Sequence, residues 1–178
     1  MSLKYKKRTA SDKAELILAE DERYMRMALE EAAAAADIGE TPVGCVIVRE
    51  EGDKRRVIAS AHNTRESEKR ASAHAEHDAI DAACKALRGW RLTGCTLYVT
   101  LEPCPMCAGL ISAARIERIV YGAEDPKAGA YKSVMNMRNY PIFKPEVTGG
   151  ILKDECGKIL KDFFADMRNK EKTKKQQT

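Results

Sequence analysis

Residues 95–121 read CTLYVTLEPCPMCAGLISAARIERIVY, and this stretch decides the fold. The apolar run 95–101 is typical of a buried strand, because β-branched, aromatic and other apolar side chains follow one another in it. Residues 104–114 predict a helix, and Ile119-Val120-Tyr121 predicts another strand. A helix between two strands indicates an α/β sandwich in which a sheet, at least partly parallel, lies between helices.

The segments before this stretch alternate in the same way. They predict a helix, a hairpin of two strands, a polar loop and a second helix, at Asp21–Ile38, 43–48 with 57–61, 63–72 and 73–87, respectively. Asp21 is the expected N-cap of the first helix, and Gly39 is the residue expected to end it.

The segments after this stretch are less regular. The stretch Glu124–Gly150 has few periodic signals, and a loop of that length in a compact domain is usually functional. Leu152–Met167 predicts a final amphipathic helix that offers two adjacent phenylalanines for packing. Since no internal repeat or linker is evident, we expect residues 1–178 to form one domain, with a core at about 21–170.

The composition is that of an ordinary globular protein, with 44% hydrophobic and 33% charged residues. No apolar run approaches the ~20 residues that span a bilayer, so we expect no transmembrane helix. The basic stretch Met1–Arg8 is not followed by an apolar segment, which argues against a secretory signal. Six cysteines without such a signal indicate a reducing compartment, and we expect a cytoplasmic protein.

Positive charge is concentrated at the two ends of the chain. The net charge is +4 and each end contributes +4, so residues 9–167 sum to −4. The charged residues at the ends are Lys4, Lys6, Lys7 and Arg8, and then Arg168, Lys170, Glu171, Lys172, Lys174 and Lys175. Such ends can bind a polyanion through its phosphates, and they can equally be solvated and disordered.

Two short motifs carry the chemistry, and each opens a predicted helix. They are His74-Ala75-Glu76 and Pro103-Cys104-Pro105-Met106-Cys107, which match the H-x-E and P-C-x-x-C pattern of zinc nucleobase deaminases. The two cysteines project their sulfurs to one side of a helix N-terminus, where free N–H groups favour thiolates. Together with His74 they give Zn²⁺ three ligands and leave a fourth position for water, which is the arrangement of a catalytic site. Glu76 points elsewhere on the helix and is the candidate to move protons.

These residues admit other interpretations. His77, three residues after His74, could be the fourth ligand of a structural zinc site, but the glutamate between the two histidines disfavours this. Cys104 and Cys107 alone could form a thioredoxin-like redox pair, which would leave His74 and Glu76 unexplained. A catalytic zinc site is therefore favoured.

The other cysteines and the single tryptophan are expected to be structural. Trp90 follows the end of a predicted helix and most simply packs on the core. His62 is given no role. The cysteines expected in the core are Cys45, Cys84, Cys95 and Cys156.

The chain resembles the bacterial tRNA-specific adenosine deaminases, within the cytidine deaminase-like superfamily. The similarity extends from about Asp21 to Lys170. The zinc motifs alone indicate only the superfamily. The more specific features are the string Leu97–Gly109, the loop Asp125-Pro126-Lys127 and the pair Phe163-Phe164.

The resemblance implies a cytidine deaminase-like three-layer sandwich, with a five-stranded mixed sheet between helices, usually assembled as a homodimer. It implies zinc-dependent hydrolytic deamination of adenosine to inosine at the wobble position of tRNA. The tRNA anticodon loop would then be the partner, because its unstacked bases can be splayed into a pocket.

The resemblance also implies roles for particular residues. One Zn²⁺ per chain would be bound by His74, Cys104 and Cys107, and Glu76 would be the catalytic proton shuttle. Two substrate-binding positions would be Asn63, which would contact the nucleotide, and the backbone near Ala75, which would help to line the pocket.

One departure and two alternatives accompany this resemblance. Residues 142–145 differ from the motif of many relatives, which affects the expected contacts with RNA and not the metal chemistry. Deaminases of free nucleobases or nucleosides, of the guanine or cytosine type, share the Pro-Cys-Pro-Met-Cys string, and Pro105 favours them slightly. A non-catalytic RNA-binding subunit is disfavoured, because it would have no chemical reason to keep Glu76.

Overall fold

The computed structural model describes residues 9–52 and 54–176. Within them the chain forms four α-helices, five strands and a short 3₁₀ helix at Met137–Asn139. The helices are α1 (Ala10–Asp37), α2 (Ala75–Leu87), α3 (Pro105–Ala113) and α4 (Lys153–Gln176). The strands are β1 (Gly44–Glu51), β2 (Lys54–His62), β3 (Cys95–Leu101), β4 (Arg118–Ala123) and β5 (Glu146–Gly149).

The strands form a single mixed sheet in the order β2-β1-β3-β4-β5. β1 pairs antiparallel with both β2 and β3, whereas β4 pairs parallel with both β3 and β5. The α/β class and the five-stranded mixed sheet are confirmed. β3 has its predicted bounds, and the hairpin of β1 and β2 occupies the predicted place with longer strands.

Alternate residues of the central strands enter two different cores. Ile47 and Leu97 pack with residues of α2 and α3 on one face of the sheet. Their neighbours Val46 and Tyr98 pack with residues of α1 and α4 on the other face. This alternation follows from the two-residue period of a strand, and it places the sheet between two helical layers. The predicted three-layer sandwich is therefore confirmed.

The prediction that α1 begins at Asp21 is wrong, because the helix begins at Ala10. Thr9 is its N-cap: the Thr9 Oγ1 accepts the N–H of Asp12 at 3.1 Å, and the Asp12 carboxylate accepts the N–H of Thr9 at 2.8 Å. This is a capping box. The first turns lack an amphipathic pattern, because they are exposed, with Leu16, Ile17 and Leu18 between 44% and 48% accessible. These turns therefore carry no periodic signal that would extend the predicted helix.

Asp21 lies in the interior and connects α1 to the sheet through hydrogen bonds. Its carboxylate accepts two parallel hydrogen bonds from the guanidinium of Arg118, each 2.7 Å long. It also accepts the hydroxyl of Tyr98 at 3.0 Å. Burial, followed by the negative charge of Asp21, raises the pKa of Tyr98, and the hydrogen bond to Asp21 raises the pKa of Arg118. One carboxylate thus joins α1 to β3 and β4.

The segment after β4 contains a strand that its own residues did not indicate. β5 has four residues, which is too short to show a two-residue alternation. It lies at the edge of the sheet beside β4. Gly149 is required in it, because a Cβ atom there would lie 2.3 Å from the ring of Tyr121.

The cationic C-terminal residues are helical. α4 continues to Gln176, nine residues beyond the predicted end at Met167, so the residues from Arg168 to Lys175 are part of a helix. The cationic residues at the other end, Lys4, Lys6, Lys7 and Arg8, lie outside the described residues.

The expectation that Trp90 packs on the core is wrong. Its side chain is 53% exposed, and the guanidinium of Arg91 lies 4.1 Å from the centre of its ring. It follows the left-handed residue Arg88, which ends α2 and turns the chain at the surface. Cys45, Cys95 and Cys156 are buried as expected, and Cys84 is partly exposed. Among the described helices, none is long and apolar enough to cross a membrane.

Removal of the Asp21 carboxylate should destabilise the protein strongly. In Asp21→Asn the Arg118 guanidinium loses its buried counter-ion, and we expect a loss of about 3 kcal/mol in the free energy of unfolding. The control is Glu22→Gln, which breaks a 3.6 Å ion pair with Arg26 between exposed side chains and should change little. Urea unfolding measures both variants, and equal effects would contradict the role assigned to Asp21.

Candidate active site

The two sequence motifs come together at one end of the sheet, beyond the carboxyl end of the central strand β3. His74 is the N-cap of α2 and Cys104 is the N-cap of α3, and both helices pack on the same face of the sheet. Pro105 occupies the first turn of α3, where its missing N–H costs nothing. Because both helices begin at this end of the sheet, their free N–H groups and positive dipole ends point toward the same cluster of side chains.

The side chains of His74, Cys104 and Cys107 form a compact cluster. The Nδ1 atom of His74 lies 3.8 Å from the Sγ of Cys104 and 3.6 Å from the Sγ of Cys107. All three ligand atoms lie within 4.8 Å of one another. A tetrahedral zinc ion holds a sulfur and a nitrogen ligand ~3.5 Å apart, so the cluster fits zinc without rearrangement. Two sulfurs and one imidazole also suit this metal chemically.

Hydrogen bonds among the two thiols and the imidazole shift the pKa of all three groups. A hydrogen bond from Cys107, together with that from His74, lowers the pKa of the Cys104 thiol to about 4. The Cys107 thiol donates that hydrogen bond and is buried, which raises its pKa. The hydrogen bond to Cys104 raises the pKa of His74. The cluster therefore favours a thiolate at Cys104.

Glu76 lies beside this cluster without belonging to it. Its side chain is 4% exposed, and burial raises the pKa of its carboxyl. It lines a cavity of about 240 Å³ together with His74 and Cys104. This volume is below the roughly 300–1,000 Å³ of typical small-molecule pockets, so it suits a small ring system, and the rest of a larger ligand would have to lie outside the cavity.

Asn63 lines the same cavity, and Ala75 does not. The Nδ2 of Asn63 donates to the Oε2 of Glu40 at 3.1 Å, and the backbone N–H of Asn63 donates to the carbonyl of Val43 at 3.0 Å. Ala75 is fully buried, with its methyl group in the hydrophobic core. The involvement of the backbone near Ala75 stays a prediction.

The candidate fourth ligand, His77, lies outside the cluster. Its Nδ1 is 3.5 Å from the Oδ1 of Asp78 and 3.9 Å from the Oδ2 of Asp81. Among the described residues, only His74, Cys104 and Cys107 form a group able to hold a metal ion. Three protein ligands with an open side toward a cavity correspond to a catalytic and not a structural zinc site.

Two glutamates of the cavity wall, Glu40 and Glu102, were not identified from the sequence. The Oε1 of Glu102 accepts three consecutive backbone N–H groups, those of Tyr131, Lys132 and Ser133, at 2.9, 2.7 and 3.1 Å. Its Oε2 accepts the N–H of Asp125 at 3.2 Å and the hydroxyl of Ser133. The only available sequence signal was the position of Glu102 directly before the Pro-Cys motif.

The altered segment 142–145 contacts the far end of α3 from the cluster of His74, Cys104 and Cys107. The carbonyl of Phe143 accepts the hydroxyl of Ser112 at 2.6 Å, and the Phe143 ring lies 5.7 Å from the guanidinium of Arg115. Ser112 and Arg115 stand at the C-terminal end of α3, whereas the cysteines stand at its N-terminal end. The departure from the family motif therefore does not alter the cluster.

The fold and this site define the class of the molecule, which is an α/β protein of the cytidine deaminase-like type. The model of the MafB19-like deaminase family matches residues 19–168, and the chain belongs to that family. The chain is 49% identical over 157 residues to the tRNA-specific adenosine deaminase of Bacillus subtilis (strain 168). This alignment covers 87% of this chain and 95% of the relative. The resemblance inferred from the sequence is confirmed.

Two solved structures are also similar. One comes from a study of A-to-I editing by tRNA:A34 deaminases at the wobble position of transfer RNA. It is 44% identical, with a TM-score of 0.73, and covers 78% of this chain and 99% of that chain. The other is a guanine deaminase from Bacillus subtilis, 38% identical with a TM-score of 0.54, over 58% of this chain and 64% of that chain. The match to the tRNA deaminase is therefore broader.

Metal content should depend on His74 and not on His77. We expect about one zinc ion per chain in the purified protein, and a loss of most of it in His74→Ala, because two thiolates alone leave the metal under-coordinated. His77→Ala is the matched control on the same helix and should keep its zinc. Elemental analysis after dialysis measures both. Zinc loss in His77→Ala alone would contradict the assigned cluster.

Proposed function

We propose that this protein is a zinc-dependent hydrolase that deaminates adenosine to inosine at the wobble position of tRNA. The observation that carries the proposal is the cluster of His74, Cys104 and Cys107 beside the buried carboxylate of Glu76, in a cavity sized for one nucleobase. The high identity to tRNA-specific adenosine deaminases over most of the chain supports the substrate class.

His74, Cys104 and Cys107 would hold one zinc ion per chain. Bound zinc would supply water activation at neutral pH, by lowering the pKa of water. The three ligands come from two rigid helix N-termini, so they hold a fixed position relative to the cavity. This preorganisation is what a nucleophile aimed at one ring carbon requires.

Glu76 would carry the protons. In the hydrolysis, a water oxygen bonds to C6 of adenine, the C6–N6 bond breaks, and ammonia leaves. The Glu76 carboxylate would accept one proton from the attacking water and pass it to the ring nitrogen next to C6. It would then accept the second proton of that water from the new C6 hydroxyl and deliver it to the leaving amine. Its side chain lines the same cavity as His74 and Cys104, so it would lie beside a base that enters there. Asn63, in the same wall, would orient the base.

The surroundings of the cavity favour an RNA substrate over a free base. The cavity shares Thr41, Arg65, Leu101 and Asp125 with a groove of about 700 Å³ that continues toward α4. The groove is lined by apolar side chains that include Leu160 and Phe164, by basic residues that include Lys127, Lys161 and Arg168, and by the acidic residues Glu124 and Asp125. A free base would fill only the cavity, whereas a nucleotide within a chain needs space for its neighbours and cations for their phosphates.

One face of α4 carries further basic residues beyond the groove. The spacing of three and four residues places Lys161, Phe164, Arg168, Lys172 and Lys175 on that face. The helix rises 1.5 Å per residue, so the face runs for about 21 Å from Lys161 to Lys175, and about 10 Å of it lies beyond Arg168 and the groove. Lys170 and Lys174 lie on the other side of the helix. We propose that the face of α4 that carries Lys172 and Lys175 contacts the phosphates of the RNA.

Two further properties belong to the same proposal. We propose a homodimer, because Met106, Val134 and Met135 beside the start of α3 are 43–51% exposed and would be covered by a partner chain. A tRNA substrate and six cysteines without a disulfide fit a cytoplasmic enzyme. The assignment of residues 1–178 to one domain, with a core at about 21–170, stays a prediction.

Inosine formation tests the proposal. The purified protein should convert the wobble adenosine of an arginine-tRNA anticodon stem-loop to inosine, measured by mass analysis of the nucleosides. Glu76→Gln should keep its zinc and lose at least about 100-fold in kcat, the usual contribution of a general acid–base group.

Free adenine, adenosine, guanine and cytosine, assayed in parallel, distinguish the alternatives. Turnover of a free base without an RNA product would support a nucleobase deaminase and overturn the RNA assignment. RNA binding that is unchanged in Glu76→Gln, without turnover by either protein, would support a non-catalytic binding subunit.

The basic face of α4 gives a second test. Lys172→Ala with Lys175→Ala should weaken stem-loop binding and reduce the slope of log affinity against log salt by about 2, because each lost phosphate contact reduces it by about 1. Lys170→Ala with Lys174→Ala removes the same charge from the opposite side and should have a smaller effect. Equal effects would show that only net charge matters.

A further inference from the structure

The turn between α1 and β1 buries a carboxylate that the proposed reaction does not use. Glu40 is 1% exposed, and it follows Gly39, whose φ of +81° turns the chain. The backbone N–H of Glu40 donates to the carbonyl of Ala35 at 2.9 Å, which fixes the turn. A buried carboxylate is costly unless hydrogen bonds compensate it, so its partners indicate its role.

Each oxygen of this carboxylate has a separate partner. Oε1 accepts the backbone N–H of Ser67 at 2.6 Å and the Ser67 hydroxyl at 2.8 Å. Oε2 accepts the Nδ2 of Asn63 at 3.1 Å. Burial alone would raise the pKa of Glu40, but these hydrogen bonds, led by those of Ser67, hold it below its ordinary value. Glu40 is therefore an ionised acceptor at neutral pH.

The chemistry of the carboxylate determines how Asn63 is oriented. An ionised carboxylate can only accept hydrogen bonds, whereas an amide has one end that donates and one that accepts. Asn63 must therefore turn its NH₂ group toward Glu40, and its Oδ1 faces away from that carboxylate. Without Glu40, the amide could occupy either of two orientations of nearly equal shape.

We propose that Glu40 is a positioning residue that locks the amide of Asn63 in one orientation, and that this lock determines which hydrogen-bonding edge of a purine the cavity accepts. The inference rests on the proposed function. Purines that differ at one position exchange a donor for an acceptor, and a fixed amide distinguishes them, because the wrong purine leaves a buried polar group unpaired. The hydrogen bonds of Ser67 to the other oxygen hold the carboxylate itself in place.

A double-mutant cycle with Asn63 tests this. Glu40→Gln has the same shape but can donate as well as accept, so it releases the lock. We expect kcat/KM for the stem-loop to fall about five- to tenfold, mainly through KM, because Asn63 contacts substrate before and during the reaction. In an Asn63→Ala background Glu40→Gln should have no further effect. Equal losses in both backgrounds would overturn the proposal.

The control for loss of charge is Glu68→Gln. Glu68 lies on the same loop as Ser67, is exposed and pairs with Arg70 at 2.9 Å, outside the cavity. It should leave kcat/KM unchanged. If Glu40→Gln does not fold, Ser67→Ala takes its place, since it removes one hydrogen bond from the same carboxylate and should show the same dependence on Asn63.

A second readout does not require activity. Side-chain amide signals in ¹⁵N–¹H spectra, assigned by their loss in Asn63→Ala, should show one Asn63 proton shifted downfield and protected from exchange. Glu40→Gln should move that signal toward the values of free amides. Failure of deamination on every substrate, with this signal present, would reject the proposed function alone. An Asn63 signal unchanged in Glu40→Gln would reject the lock.

Discussion

The carboxylate of Glu102 is the contact on which the site depends. It follows β3 directly and precedes Cys104 by two residues, so it belongs to the segment that carries a candidate metal ligand. It accepts four backbone N–H groups and one hydroxyl from residues 125–133. These contacts lower the pKa of Glu102 against the opposing effect of burial. The carboxylate of Glu102 thus holds a loop without regular structure against the end of β3. Its oxygens accept the backbone N–H groups that would pair with carbonyls if the loop were a strand.

This constraint explains the local sequence and the position of the cavity. Gly129 is required because a Cβ atom there would lie 2.3 Å from the Oε2 of Glu102. The N–H of Ala130 donates to the carbonyl of Pro103 at 2.9 Å, which brings the loop against the start of α3. β3 pairs antiparallel with β1 on one side and parallel with β4 on the other. The site therefore lies where the strand pairing changes, beyond the carboxyl end of a central strand, which is where open α/β sheets bind ligands.

The sequence predicted what depends on neighbouring residues and missed what depends on distant ones. β3 was placed correctly, because an unbroken apolar run is a local signal, and the cysteine and histidine motifs were evident from their spacing. β5 was missed because its four residues are stabilised by β4, and the interior position of Asp21 was missed because its partner Arg118 lies 97 residues away. Trp90 was assigned to the core from its residue type, whereas the left-handed Arg88 before it leaves it at the surface. Glu40 and Glu102 belong to the same class, since their partners lie 23–31 residues along the chain.

The residues that a local motif reveals and the residues defined by distant contacts have different roles in the proposed function. The motifs that a sequence displays, with His74, Glu76, Cys104 and Cys107, are sufficient for the proposed chemistry at a ring carbon. The fold alone does not select a substrate, since a guanine deaminase structure shares it at 38% identity. Under the proposed function, selection would depend on the walls of the cavity and on the groove beyond it, to which Glu40, Glu102 and α4 contribute from separate parts of the chain. Because each of these contacts joins segments that are distant in sequence, a family can keep its chemistry and change its substrate by altering residues that no short motif contains.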